Sequence, residues 1–153
     1  MNKFLEEIQE QPEALKQTFC YYRSEEGKKS LKTVCALWKS GEYDRIVFTG
    51  MGSSYFISQA AATMISSAPI PASAIHFQSP SLTERTLLIA VSQSGESYEV
   101  IELLKKQRRL PITVIGITNE SGSSLAVMAT HCLLCKAGKE EMTSTKTFIT
   151  TYL

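Results

Sequence analysis

Four short stretches of this chain gather hydroxyl side chains and glycine where apolar runs give way to helical patterns: 50–54 (GMGSS), 92–97 (SQSGES), 119–124 (NESGSS) and 138–146 (GKEEMTSTK). Glycine beside Ser or Thr at a helix start offers free backbone N–H groups, a positive dipole end and hydroxyl donors. Together these suit a phosphate dianion. The same residues are also ordinary helix N-caps, but a cap needs only one hydroxyl. Residues 119–124 are therefore assigned to capping. The other three stretches hold two or three hydroxyls each, more than a cap uses, and they supply the candidate binding residues Gly52, Ser53, Ser54, Ser92, Gln93, Ser94, Ser97 and Ser144.

Competing chemistries fit less well. Gly50-Met51-Gly52 matches the first half of a dinucleotide fingerprint, yet Tyr55 stands where its third glycine belongs. The next strand ends in His76-Phe77-Gln78, with no acidic residue to hold a ribose. A Walker loop is absent as well, so no cofactor is expected. Cys132 and Cys135 form a CxxC inside a strand-like run, where positions i and i+3 point to opposite faces. They are therefore expected not to chelate one metal ion, and Cys20, Cys35, Cys132 and Cys135 are all expected as reduced thiols in the core. His76 and His131 have no visible partner and are expected as packed or strand-end residues.

The elements that must position these loops alternate along the chain. An opening helical stretch (Phe4, Leu5, Ile8, then Leu15 and Phe19) is broken at Gln11-Pro12. A second amphipathic helix places Leu31, Val34, Cys35 and Trp38 on one side and ends at Gly41. Residues 1–42 thus form a helical leader expected to pack on a domain at 43–153. There the spacing predicts strands at 45–49, 74–77, 87–91, 112–117 and 131–135. Helices are predicted at 54–66, 97–108 and 124–129, with another starting near Thr143. Runs apolar throughout indicate strands covered on both faces, hence an α/β fold with a doubly wound parallel sheet. In such a sheet all four loops lie along the carboxyl edge.

The chain has 153 residues, a formal charge of +1 and 43% hydrophobic content. Those values give no electrostatic reason to expect nucleic acid or an anionic membrane as partner. No segment approaches the roughly 18 to 20 apolar residues of a membrane span. The polar, acidic amino terminus is unlike a signal peptide, and a cytoplasmic location is expected. The chain stops at Leu153 without a helix-ending signal, which suggests a fragment of something longer.

The combination GMGSSY, SQSGES, NESGSSLA and STKTFITT, in this order and after strands, resembles the sugar isomerase (SIS) domain. It is most similar to the first of two such domains in the isomerase half of glucosamine-6-phosphate synthase, in fructosamine 6-phosphate deglycases and in related phosphosugar isomerases. The resemblance covers nearly the whole chain and implies a flavodoxin-like three-layer αβα fold. It also implies that the turn carrying Ser92, Gln93, Ser94 and Ser97 holds a sugar 6-phosphate, and that Ser53, Ser54 and Ser144 meet the sugar. A dimer, or pairing with a second SIS domain, is implied too. Residues 78–85 and 139–143 depart from the synthase pattern, and 139–143 looks closer to the deglycase-like branch; synthase activity itself is not expected, the more so as no glutaminase domain precedes the leader.

Aldose–ketose interconversion needs a base acting between C1 and C2 and a group that opens the ring. By resemblance these come largely from a second domain that this chain does not contain. Glu96 is read first as a helix-start charge or structural hydrogen bond, and only second as a base. Glu140, Glu141 and Lys146 are ambiguous in the same way between a catalytic role and solvated charge, with solvated charge as the plainer reading. The leading expectation is the phosphosugar-binding half of an isomerase or deglycase. The alternatives are a non-catalytic sugar-phosphate sensor controlling a partner, and a one-domain isomerase completed across a dimer.

Overall fold

The structure is a computed structural model that describes residues 2–65, 70–75, 82–141 and 144–153. Its apolar runs form β1 (Arg45–Gly50), β2 (Ala72–Ile75), β3 (Thr86–Val91), β4 (Thr113–Thr118) and β5 (His131–Leu134). All pair in parallel, in the order β2-β1-β3-β4-β5. Central β3 is buried along its whole length, which explains why its sequence is apolar without alternation.

Alternate side chains of each strand feed two cores. On one face Val47, Leu88, Ala90 and Val114 pack with Val100, Ile101 and Leu104 of α5 (Tyr98–Gln107) and Leu125 of α6 (Ser124–Met128). On the other, Ile46, Phe48, Leu87, Ile89 and Ile115 meet Ala62 of α4 (Ser53–Met64) and Val34, Leu37 and Trp38 of α3 (Glu25–Lys39). The result is the expected three-layer αβα arrangement. Along the chain, β1 passes through α4 on one face to β2, whereas β3 passes through α5 on the opposite face to β4. The carboxyl ends of β1 and β3 therefore border the crevice where an open parallel sheet binds ligands.

The amino-terminal helices differ in detail from expectation. Three are present: α1 (Lys3–Gln9), α2 (Gln11–Arg23) and α3. The break falls at Glu10, so Pro12 sits in the first turn of α2, where its missing N–H costs no helical bond. The buried stripe of α3 runs through Val34, Leu37 and Trp38, leaving Cys35 exposed, and Cys20 on α2 is exposed too. The expectation of four core thiols is thus corrected to one buried thiol, Cys135, and one half-buried, Cys132. Positions 20 and 35 fall outside the stripes by which these surface helices pack. Gly41, in a left-handed conformation (φ +73°), does follow the end of α3.

The second strand begins two residues earlier than predicted, and the expected positions His76 and Phe77 lie outside the described residues, as do residues 78–81. The last helix, α7, runs from Lys146 to Thr150, three residues later than predicted. Its start is set by a carboxylate from upstream, described below.

Candidate functional site

Residues 92–97 form a tight turn between β3 and α5. Ser92, buried at 1% exposure, accepts the Gly95 N–H on its hydroxyl oxygen at 3.1 Å and shares a hydrogen bond with the Ser97 hydroxyl at 2.8 Å. Gly95 has φ +66°, and a side-chain carbon there would overlap Ser123, so this position admits only glycine. Exposed Ser94 accepts the Glu96 N–H at 3.2 Å, which leaves its own hydroxyl proton to donate outward. Half-buried Gln93 offers its backbone carbonyl to Thr118 Oγ1 and to the Asn119 N–H, both at 3.1 Å, stitching the turn to the end of β4.

Because the Ser97 hydroxyl is engaged with Ser92, it does not cap its own helix, and α5 begins without a side-chain acceptor on its first amides. The neighbouring helix α4 begins at Gly52 (φ +55°), again with no side-chain cap. Ser53 is half-buried and Ser54 buried beside it. Gly50, the last residue of β1, lies so close to α4 that a side-chain carbon would stand 2.8 Å from the Ser54 carbonyl carbon. In register Gly50 opposes Val91, so the 50–54 and 92–97 loops leave adjacent strands side by side. Two helix starts without side-chain caps thus border the crevice, although at α4 the Ser54 and Tyr55 N–H groups already donate to the Met51 and Gly52 carbonyls, both at 3.1 Å.

The β4–α6 loop does something else. Ser123 caps α6 by accepting the Ala126 N–H at 3.3 Å, and the Glu96 carboxylate accepts the Ser124 N–H at 2.7 Å. That bond to Ser124 holds the Glu96 carboxyl below the usual carboxylate range. The assignment of 119–124 to capping agrees with this geometry, and so does the structural reading of Glu96. A carboxylate committed to a helix start and kept ionised is poorly suited to accept a proton from a substrate.

The loop between β5 and α7 corrects another expectation. Glu140 and Lys146, read as solvated charge, turn inward: Glu140 accepts from Thr145 Oγ1 at 2.9 Å, the Lys146 N–H at 2.6 Å and Thr147 Oγ1 at 2.7 Å. This carboxylate caps α7 from six residues upstream, which is why the helix starts at Lys146. The Lys146 side chain is buried. Glu141 alone is exposed, paired with Lys3 and Lys139, and these two cations bring its carboxyl down to about 2. Ser144 is half-buried at the head of this segment, and α7 packs against both α2 and α4.

Sequence reasoning missed Asn119, whose side chain receives the Ala137 N–H at 2.8 Å and donates to the Gly138 carbonyl at 2.7 Å, tying two loops together. Nothing in its local pattern separates such a bridge from a cap. The CxxC behaves as a packing feature: burial pushes both thiols up, away from the thiolate that metal or redox chemistry requires. Among the described residues no cluster of three or more His, Cys, Asp or Glu is placed to hold a metal. A hollow of about 580 Å³ lies beside Tyr21, Asn119 and Lys136, against the 119–124 and 138–146 loops, and an apolar one of about 380 Å³ lies between α2, β5 and α7.

Residues 42–153 match the family model of the SIS domain. The chain belongs to the SIS domain family. As an SIS domain it is 33% identical over 152 residues to the glutamine–fructose-6-phosphate aminotransferase (isomerizing) of Streptococcus pyogenes, covering 94% of this chain and 25% of that protein. The enzyme of the same name from Chlamydia caviae is 34% identical over 152 residues, again covering 94% of this chain and 25% of the relative. The chain thus spans about a quarter of the length of these relatives. Among solved structures, the C-terminal domain of glucosamine-fructose-6-phosphate aminotransferase from Francisella tularensis superposes with a TM-score of 0.78 at 25% identity, over 95% of this chain and 43% of that one. A Methanococcus jannaschii protein whose structure infers a 3-hexulose-6-phosphate isomerase gives a TM-score of 0.76 at 21% identity. It covers 97% of this chain and 82% of its own, and at that identity it speaks for the fold alone.

Proposed function

We propose that this SIS domain binds the 6-phosphate of a hexose or amino-sugar phosphate, as part of a sugar-phosphate (aldose–ketose) isomerase or a fructosamine 6-phosphate deglycase-like enzyme. The observation that carries the reading is the start of α5, where amides without a side-chain cap face a ring of Ser92, Ser94 and Ser97. The phosphate is received there by the helix amides, the outward hydroxyl of Ser94 and the proton of Ser97, which stays available when Ser92 donates the bond the two share, with Ser92 and Gln93 fixing the turn. Gly52, Ser53 and Ser54 on one side and Ser144 on the other meet the sugar.

Glu96 and Glu140 are both engaged in capping helices, and on this reading the base that moves the C1–C2 proton belongs to a second domain. That same commitment favours a second reading, a non-catalytic module that senses a sugar phosphate and controls a partner. No helix among the described residues is long and apolar enough to cross a membrane, and a cytoplasmic homodimer, or pairing with a second SIS domain, fits a soluble metabolite as ligand.

A thermal-shift titration with fructose 6-phosphate, glucosamine 6-phosphate and fructosamine 6-phosphate tests the binding, with inorganic phosphate and NAD as controls. Ligand at about a hundred times its Kd adds roughly 2.7 kcal/mol, several degrees for a domain of this size. Ser94→Ala, removing a hydrogen bond to a charged group, weakens the binding about tenfold or more. Absence of any shift with all three sugars would overturn the proposal.

A further inference from the structure

The loop that carries Ser144 is fastened to helices at the other end of the sequence. Gln11 Nε2 donates to the Thr145 carbonyl at 3.2 Å, and Glu7 accepts the Glu141 N–H at 2.7 Å. The central contact is that of Lys146, only 3% exposed, whose ammonium donates to Glu10 Oε2 and to the Lys139 carbonyl, each at 2.7 Å. Glu10 occupies the junction between α1 and α2. From within the loop, Glu140 gathers Thr145, Lys146 and Thr147 onto one carboxylate.

A buried ammonium is tolerated only where it is paired and hydrogen-bonded. Lys146 has both provisions at its present position, where Glu10 and the Lys139 carbonyl hold its nitrogen. We infer that Lys146 is a positioning residue: with Glu10 and Glu140 it ties the junction of α1 and α2 to the loop that carries Ser144, so that the amino-terminal helices help to build the binding half-site. The identity of what Ser144 meets rests on the sugar-phosphate reading above. The tie itself does not.

The test uses the full chain with Lys146→Met and, because Glu10 is largely exposed and its replacement threatens folding less, Glu10→Gln. Lys146→Arg serves as the conservative rescue. Amide hydrogen exchange is followed without ligand. Exchange at Thr145, Lys146 and Thr147 should accelerate by about tenfold or more in Lys146→Met and Glu10→Gln, while β3 amides keep their rates and Lys146→Arg stays nearer the parent. Unchanged loop exchange, or equal acceleration in β3, overturns the inference.

Binding supplies the second readout. Lys146→Met should weaken fructose 6-phosphate about tenfold yet leave inorganic phosphate within about twofold, because the 92–97 turn is untouched. Equal weakening of both, or of neither, argues against positioning. If the parent chain binds neither probe, the sugar-phosphate reading fails, and the exchange data still decide whether Lys146 holds the loop.

Discussion

Glu96 shows how one side chain in the turn serves a neighbouring helix. Its carboxylate accepts the Ser124 N–H at the start of α6, and this bond lowers its pKa. A carboxyl whose folded pKa is depressed contributes stability above the ordinary carboxylate pKa and loses it as pH falls through the folded value. Glu96→Gln should therefore lower the urea midpoint at about pH 7. The gap between variant and parent should close as the pH is taken down to about 3. A gap of equal size at both values would mean that the charge at α6 contributes nothing. The same neutral variant should still bind sugar phosphate, since the hydroxyls of Ser94 and Ser97 are retained.

At the level of elements, α5 and α6 begin with the same residue type used in opposite ways. Ser123 caps α6 with its hydroxyl, whereas the Ser97 hydroxyl is drawn to Ser92 and leaves α5 uncapped. Ser123→Ala should cost about 1 kcal/mol in chemical denaturation, as loss of a working cap does. Ser97→Ala should cost less stability but weaken fructose 6-phosphate binding several-fold in the titration. The reverse ranking would move the anion site from α5 to α6. The contrast shows the same Ser-rich composition yielding an uncapped helix start after β3 and a capped one after β4.

On the proposed reading the whole molecule supplies the phosphate-binding part of a site at the carboxyl edge of its sheet. With its nearby carboxylates engaged and its crevice open, the isolated chain should bind fructose 6-phosphate without converting it to glucose 6-phosphate, followed by NMR of the sugar. Turnover by this chain alone would instead favour the one-domain enzyme completed by a second copy. Sedimentation velocity should show a dimer at micromolar concentration, with the outer face of α4 as the contact, because Phe56 and Met64 stand 64% and 74% exposed on it. Phe56→Glu should then give a monomer.

Strand and helix order, the parallel sheet and the loops at its carboxyl edge were legible in the sequence, because apolar runs too short for helices and spaced by amphipathic stretches leave few other arrangements. The hydroxyl-rich turn at 92–97 was legible for the same reason: local composition exceeded what capping uses. What tertiary structure decided is where charge ends up. Lys146 and Glu140 look like solvated charges, and Cys35 like part of an apolar stripe, until the partners are known. The burial of Lys146 depends on Glu10, separated from it by 136 residues in sequence, and no pattern within a helix turn or strand pair encodes such a contact. Local periodicity therefore determined the scaffold and its binding edge. Only the folded chain, by bringing α1 and α2 against the loop before α7, determined which polar groups face a ligand and which hold the loop in place.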